Sequence, residues 1–413
     1  MRLFDRVLKR LVTRGRLTVI YHDGRSVTVG QADPALPALA LRMLDSRVPM
    51  DIIRDPRLGM AEAYIDGRVA IEGGGIIELV SLIRANNAWE NGRSISAGGA
   101  IRRGVKTVRR ALWKANHRAR AKANVAHHYD LSGALYALFL DRDRQYSCAY
   151  YGDADNKAGI GLEQAQEDKK AHIAAKLHLK PGMKVLDIGC GWGGMALYLH
   201  RTCGVDVTGI TLSEEQLTVA RERAAEAGVA DHVRFELIDY RDVQGTFDRI
   251  VSVGMFEHVG TAHYRAFFDK CRDLLTSDGV MLVHTIGRIA GPGITDAFTE
   301  KYIFPGGYIP ALSEMLHGSE GTRLMVTDVE VLRLHYGLTI REWYRRTMAH
   351  RTEIVALYDE RFFRLWTFYL AGAATVFEHG GMVNYQVQYA RDRRALPITR
   401  DYMIEAEQAM RRR

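Results

Sequence analysis

Two apolar runs end in residues that could do acid–base chemistry. Ile250–Val253 leads into Gly254-Met255-Phe256-Glu257-His258, and Val280–Val283 leads into His284. Upstream, VLDIGCGWGG (Val185–Gly194) carries a third apolar run into Asp187 and then Gly189, Gly191 and Gly193. Glycines there let the backbone turn tightly and approach a ligand closely. Dinucleotide sites use a related loop, but the order here is D-x-G-x-G-x-G and not G-x-G-x-x-G. Asp187 closes a strand, where a carboxylate can hold the cationic end of a cofactor, and Asp239 follows the third strand, where it can meet an adenosine. The combination favours S-adenosylmethionine (SAM) over a dinucleotide; a glycine-rich turn without a ligand is the plain alternative. The second strand ends in Gly209-Ile210-Thr211, without the acid that methyltransferases often place there for the ribose, so Thr211 or Gln216 is the candidate substitute. Ser213-Glu214-Glu215-Gln216, flanked by Leu212 and Leu217, also reads as a capping box with a hydrophobic staple, which gives Ser213 and Gln216 a purely structural alternative.

These residues need a sheet to bring them together. Short apolar runs at Met183–Ile188, Val205–Ile210, Val233–Ile238, Ile250–Val253 and Val280–Val283 alternate with helical patterns, and Tyr385–Tyr389 reads as a last strand. That order predicts a parallel sheet with helices on both faces, whose sites lie at the carboxyl ends of the strands. Glu257 and His284 then share a crevice with Asp187, while His258 has an equally good structural reading. The Asn/Asp-Pro-Pro-aromatic motif of nucleic-acid amino-methyltransferases is absent after the fourth strand, which argues against a base amine as acceptor and against a nucleic-acid partner. Residues 1–95 read as a small α/β unit with a hairpin through Asp23-Gly24, residues 96–125 as a basic connector, and residues 126–413 as the catalytic domain. The alternation breaks at about 287–321, which suits a lid.

At 413 residues, 47% hydrophobic and 26% charged, the chain is long enough for two domains. Cys148, Cys190, Cys203 and Cys271 lack metal-ligand spacing and read as reduced thiols of a cytosolic protein, with no metal expected. No run approaches the ~20 apolar residues that span a bilayer; Leu365–Phe377 reads as a buried helix. The N-terminus lacks the features of a signal peptide but is amphipathic, with Leu3, Val7, Leu8, Leu11 and Val12 on one side. The net charge of +8 is concentrated: no acid lies between Glu90 and Asp130, while nine basic residues run from Arg102 to Lys122. An amphipathic basic helix there would dock on anionic lipid, at about 1 kcal/mol per basic residue; a solvated linker is the plain alternative.

Four further segments, HHYDLSGALYALFLDRDRQYSCAYY (His127–Tyr151), GITLSEEQ, KYIFPGGYIP (Lys301–Pro310) and HYGLTIREW (His335–Trp343), join VLDIGCGWGG, GMFEHVG and HTIG in order. Together they resemble the cyclopropane fatty acid synthase family, including its mycolic acid relatives. The N-terminal unit resembles the extra domain of bacterial members that act on phospholipids. The resemblance implies a class I SAM methyltransferase fold, Rossmann-like, with a mostly parallel seven-stranded sheet and a small N-terminal α/β domain. It implies transfer of the SAM methyl carbon to a cis double bond of a phospholipid acyl chain, through a carbocation that a bound bicarbonate ion deprotonates to leave a cyclopropane. Bicarbonate would be held by Cys148, Glu257, His284, the backbone of Ile286, and Tyr336. Tyr146, Ser147, Gly189, Gly191 and Gln216 would contact the cofactor, with Gly193 completing the loop. An accessory glutamate of some bacterial members is missing, since the stretch reads Val326-Thr327-Asp328. A homodimer on the cytoplasmic face of the membrane, peripherally attached, is also implied.

The physics agrees with these roles. An alkene is a weak nucleophile, so the enzyme must chiefly position it against the sulfonium methyl. The resulting cation needs an electron-rich, dry surround, where aromatic faces contribute ~2 kcal/mol, and then a small fixed base. Cys148 is not read as a nucleophile, because its thiolate would itself be alkylated. Tyr129, Leu131, Leu135, Tyr136, Leu138, Phe139 and Leu140, with Phe304, Tyr308, Phe362, Phe363, Trp366, Phe368 and Tyr369, are candidates for an acyl tunnel or for plain core. Other outcomes on the same frame are a methyl-branched or methylidene chain, a small-molecule methyltransferase acting on an amine or sterol, and a non-catalytic binding protein.

Overall fold

The structure, a computed structural model, describes residues 2–56, 58–92, 132–152 and 159–411. The basic connector at 96–125, Tyr129 and Leu131 lie outside them. The chain forms two compact units, and the division is not a single cut. Residues 295–305 and 337–381 cluster with the N-terminal unit, while 108–294, 306–336 and 382–413 form the second. The sequence reading divides the chain into residues 1–95, a connector at 96–125 and a catalytic domain at 126–413 with an insertion at about 287–321; the folded chain returns twice to the first unit.

In that first unit β1 (Arg16–Ile20) and β2 (Ser26–Val29) form the expected hairpin, Leu17 opposite Val29 and Val19 opposite Val27. β3 (Ala38–Met43) joins β1 in parallel and β4 (Val69–Glu72) joins β3 antiparallel. The helix Glu360–Glu378 packs on the helices Ile76–Ala85 and Gly59–Ile65, burying Phe363, Trp366, Leu370, Ala374 and Phe377. This is the buried helix expected at 365–377, longer by nearly two turns. The N-terminal helix Arg2–Leu11 departs from expectation. Phe4, Leu8 and Val12 are its buried stripe, whereas Leu3 and Val7 are 55% and 36% exposed. A 3.6-residue period keeps residues four apart on one face, and only the Phe4 series lies on the inner one. No helix among the described residues is long and apolar enough to cross a membrane.

The second unit holds a seven-stranded sheet with order β10-β11-β9-β8-β5-β6-β7. Its strands are β5 (Lys184–Ile188), β6 (Asp206–Thr211), β7 (Val233–Leu237), β8 (Phe247–Val253), β9 (Leu275–Arg288), β10 (Met325–Leu332) and β11 (Met382–Ala390). β5 to β9 run parallel, and β11 is antiparallel to both β9 and β10. Adjacent residues feed opposite cores: Leu186, Ile250 and Met281 enter one, Val185, Val251 and Leu282 the other. Such two-sided burial is why the central strands read as unbroken apolar runs. The register sets Asp187 beside Val251 and Val253 beside His284, so the carboxyl ends of β5, β8 and β9 adjoin.

Candidate active site

The loop after β5 is shaped by its glycines. Gly191 sits at φ +55° with open space where a Cβ would point, a backbone free to face a ligand. Gly193, at φ +82°, does something else: a Cβ there would meet Phe235 at 2.7 Å and Ala220 at 3.1 Å. It seats the helix Gly194–Cys203 against the sheet and is not part of the pocket lining. The other eight expected cofactor residues line one pocket. Tyr146, Ser147, Asp187 and Gly189 are joined there by Gly191, Thr211, Gln216 and Asp239. His258, from the turn after β8, lines it too, and burial pushes its imidazole down to about 4, hence neutral.

Asp187 is 1% exposed and its Oδ2 has no hydrogen-bond partner among the described residues. Burial lifts its carboxyl to about 7, against the opposing pull of Lys169. An orphaned buried carboxylate oxygen facing a pocket fits the ammonium end of SAM, because a cation there would repay the desolvation. Thr211 Oγ1 donates to Gln216 Oε1 at 2.9 Å. Ser213 caps the helix Glu214–Glu226 through the Gln216 N–H, but the return bond of a capping box is replaced by Ser213 N–H to Thr211 Oγ1 at 3.1 Å. The Gln216 side chain is thereby released from capping and turned to the pocket. Asp239 lines the pocket with its carboxylate already gripped by Arg241, at 2.8 and 2.5 Å, a partner the sequence reading missed. Tyr136 and Trp192 add aromatic edges beside Tyr146, with ring centroids 5.4 Å (Tyr136–Tyr146) and 5.0 Å (Tyr136–Trp192) apart.

The five residues expected around bicarbonate do not themselves line the pocket; Cys148 follows Ser147, Glu257 precedes His258 and His284 pairs with Val253, and those three neighbours do line it. Glu257, in the turn Phe256–His258, is buried and accepts the Ile286 N–H at Oε1, 2.7 Å away, while its Oε2 has no partner among the described residues. Burial raises its carboxyl above the ordinary range, against the Ile286 and Thr285 hydrogen bonds. His284 is 1% exposed and flanked on β11 by Gln386 Nε2 at 3.1 Å and Asn384 Nδ2 at 3.3 Å. Burial, with the Lys169 charge adding to it, drops the imidazole to about 3. A neutral ring has one donor and one acceptor, and the Gln386 and Asn384 oxygens are both unpaired among the described residues. Turning either amide over would pair the ring on both sides. The Cys148 thiol is fully buried and donates to the Ala149 carbonyl at 3.3 Å; burial pushes its ionisation far up. It is therefore a thiol and not a thiolate, as its reading as a non-nucleophile requires. Tyr336 is buried, and its neighbour His335 accepts the Tyr151 N–H at 3.0 Å, which ties this segment to the chain just after Cys148. Burial thus raises the Glu257 carboxyl and the Cys148 thiol alike, and Tyr336 is buried as well.

A family model described as mycolic acid cyclopropane synthetase matches residues 116–387. Cyclopropane-fatty-acyl-phospholipid synthase of Escherichia coli (strain K12) is 43% identical over 264 residues, 64% of this chain and 66% of that protein. Tuberculostearic acid methyltransferase UfaA1 of Mycobacterium tuberculosis (strain ATCC 25618 / H37Rv) is 32% identical over 406 residues, covering 94% of this chain and 91% of the relative. Among solved structures, mycolic acid cyclopropane synthase CmaA1 complexed with SAH and CTAB superposes with a TM-score of 0.61 at 34% identity, over 65% of this chain and 98% of that one. The fold is that of class I SAM methyltransferases.

Proposed function

Since the chain belongs to the mycolic acid cyclopropane synthetase family of SAM-dependent methyltransferases, we propose that it converts a cis double bond of a phospholipid acyl chain into a cyclopropane. The observation that carries this reading is the Glu257 carboxyl, pinned by the Ile286 N–H through one oxygen and bare at the other, in a turn whose neighbours Met255 and His258 line the cofactor pocket. Asp187, Gly189, Gly191, Thr211 and Gln216 hold SAM, and Tyr146 with Ser147 supplies a further part of the pocket wall. The methyl carbon leaves sulfur and bonds to one alkene carbon, and the positive charge appears on the other. A proton then leaves the added carbon and the third carbon–carbon bond closes. Tyr146 and Trp192, which face the pocket, supply electron-rich rings to the cation. Glu257, Cys148, His284, the Ile286 backbone and Tyr336 would hold bicarbonate, whose chemistry is to accept that proton. Because these residues are buried, the anion would keep its basicity, and water that would trap the cation is kept away.

The N-terminal helix supports action at a membrane surface. Leu3 and Val7 are exposed apolar residues beside exposed Arg6, Lys9 and Arg10. Binding to anionic vesicles should weaken with rising salt and fall several-fold in Leu3→Asp, read by co-sedimentation; salt-independent binding of both forms would remove this part.

Incubation of the purified protein with methyl-labelled SAM and vesicles of unsaturated phospholipid tests the reaction. Label should enter the acyl chain as one CH2 resistant to mild hydrogenation. No label in lipid would sink the proposal. A second reading has one specific support, the tuberculostearic acid methyltransferase that matches over 94% of this chain. On that reading SAM alone gives a methylidene chain of the same mass as the ring but open to mild hydrogenation, and a methyl-branched chain two hydrogens heavier forms only if a hydride donor is added.

A further inference from the structure

Lys169 lies on the helix Leu162–Lys176 and is fully enclosed, at 0% exposure. Its ammonium donates to the Gln145 side-chain oxygen at 2.5 Å and to Ser147 Oγ at 2.9 Å. Three residues earlier, Gln166 Nε2 donates to the carbonyls of Gln145 and Ser147, at 3.3 and 3.1 Å. One helix face therefore grips both ends of Gln145-Tyr146-Ser147, a wall of the cofactor pocket. That tether alone does not call for a lysine. A buried ammonium costs several kcal/mol in desolvation, and a neutral amide could make the same two bonds.

The charge has its own work. The nearby acids are Asp141, Asp143 and Asp187. Asp141 accepts the backbone N–H groups of Gln145 and Asp143, and Asp143 is paired with Lys170 and Arg223. Asp187 keeps an orphaned oxygen, and the Lys169 ammonium is the one charged group that acts on it among the described residues; its other titratable neighbour is the Cys190 thiol. Arg144, Asp239, Arg241 and His258 line the same pocket.

We propose that Lys169 is a positioning residue for the methyl donor, pinning the Gln145–Ser147 wall and setting a buried positive charge behind the pocket that Asp187 lines with its orphaned oxygen. The inference rests on Asp187 being the contact for the ammonium end of SAM. Burial lifts Asp187 to about 7 with Lys169 opposing the rise, and brings Lys169 itself to about 8, so both are mostly charged just above neutrality. Without the ammonium Asp187 would hold its proton to higher pH, and SAM would meet a neutral acid.

SAM affinity by calorimetry from about pH 6 to pH 9, with kcat and KM in parallel, tests this. In the wild type, affinity should weaken as pH falls through about 7. Lys169→Gln, which retains a donor for both bonds and loses the charge, should move that weakening up by about one unit, which is about fivefold in Kd at pH 7 and about tenfold at pH 6. Its kcat at saturating SAM should stay within about threefold. Lys169→Arg should leave the profile near its original place, and Lys169→Met should add loss of the tether to loss of the charge. A folded Lys169→Gln, checked by circular dichroism, with an unshifted profile would overturn the inference. Asp187→Asn separates the two levels: undiminished SAM binding in that variant defeats the cofactor assignment itself, whereas weakened binding there with no shift in Lys169→Gln defeats only the role of Lys169.

Discussion

Glu257 and His284 are neighbours in the proposed chemistry but differ in what the fold does to them. Glu257 has one oxygen committed to the Ile286 N–H and one without a partner among the described residues, and burial raises its carboxyl above the ordinary range. Glu257→Gln preserves size and the Ile286 bond while replacing a polarisable acid with an amide. Turnover should fall by about a hundredfold or more, the usual range for losing a positioned proton-handling group, with SAM affinity within about threefold. Turnover near the wild-type level, in an assay of labelled acyl chains, would remove the anion-clamp idea. His284 is held neutral, at about 3 against an unfolded value near 6.5. Its folded pKa is depressed, so the unfolded state takes the proton first, and stability is lost as pH falls from about 6.5 toward 3. In urea unfolding, wild type should lose about 2 kcal/mol more than His284→Gln between pH 7.5 and pH 5. Parallel losses in the two proteins would mean that the ring is not held neutral.

At the scale of elements, the glycine loop was legible because its residues answer to backbone geometry, which sequence states directly. The roles within it were not all legible. Gly193 reads like Gly189 and Gly191, yet its missing side chain makes room for Phe235 and Ala220 beneath the helix. Gly193→Ala meets a 2.7 Å clash and an unfavourable φ of +82° together, and should lower stability by about 2–3 kcal/mol in a thermal melt. A stability change below about 0.5 kcal/mol would contradict that packing role. The five parallel strands were visible as apolar runs because four of them are buried on both faces and β7, at the far edge, still turns Val233 and Phe235 inward. β10 was missed because it is an edge strand, whose MVTDVEVL mixes exposed Met325, Val326 and Val331 with buried Asp328 and Leu332. Lys169 was missed for a related reason. Its helix has no apolar stripe, and small residues such as Ala165, Ala171 and Ala174 let the charged side chains between them go inside. Which amides flank His284 depends on the antiparallel register of β11 against β9, a pairing between residues a hundred apart that no local pattern encodes.

At the scale of the whole chain, the interleaving of the two units makes a strong demand. The CmaA1 structure matches 65% of this chain and 98% of its own length, so this family's catalytic fold exists at that smaller size. In this chain, however, residues 337–381 have surfaces made for the N-terminal unit. Arg364 Nε donates to the Ile65 carbonyl at 2.7 Å, Arg361 pairs with Asp66 at 3.0 Å, and Arg341 reaches Ser81 at 3.2 Å. On the inner face of the helix Glu360–Glu378, Phe368 packs on Phe298 with ring centroids 5.0 Å apart and on Tyr64 at 6.1 Å. Deleting residues 1–95 would strip Ile65, Tyr64, Ser81 and the helix Ile76–Ala85 from that face. Large apolar rings would then meet water, and each such side chain is worth about 1.5–3 kcal/mol when buried. The shortened chain should aggregate or melt at least 10 °C lower, since about 1 kcal/mol moves the midpoint of a domain this size by roughly 2–4 °C. Scanning calorimetry and size-exclusion chromatography would register this. A monodisperse truncated protein melting with the full chain would show that residues 337–381 carry their own core and that the first unit is an appendage.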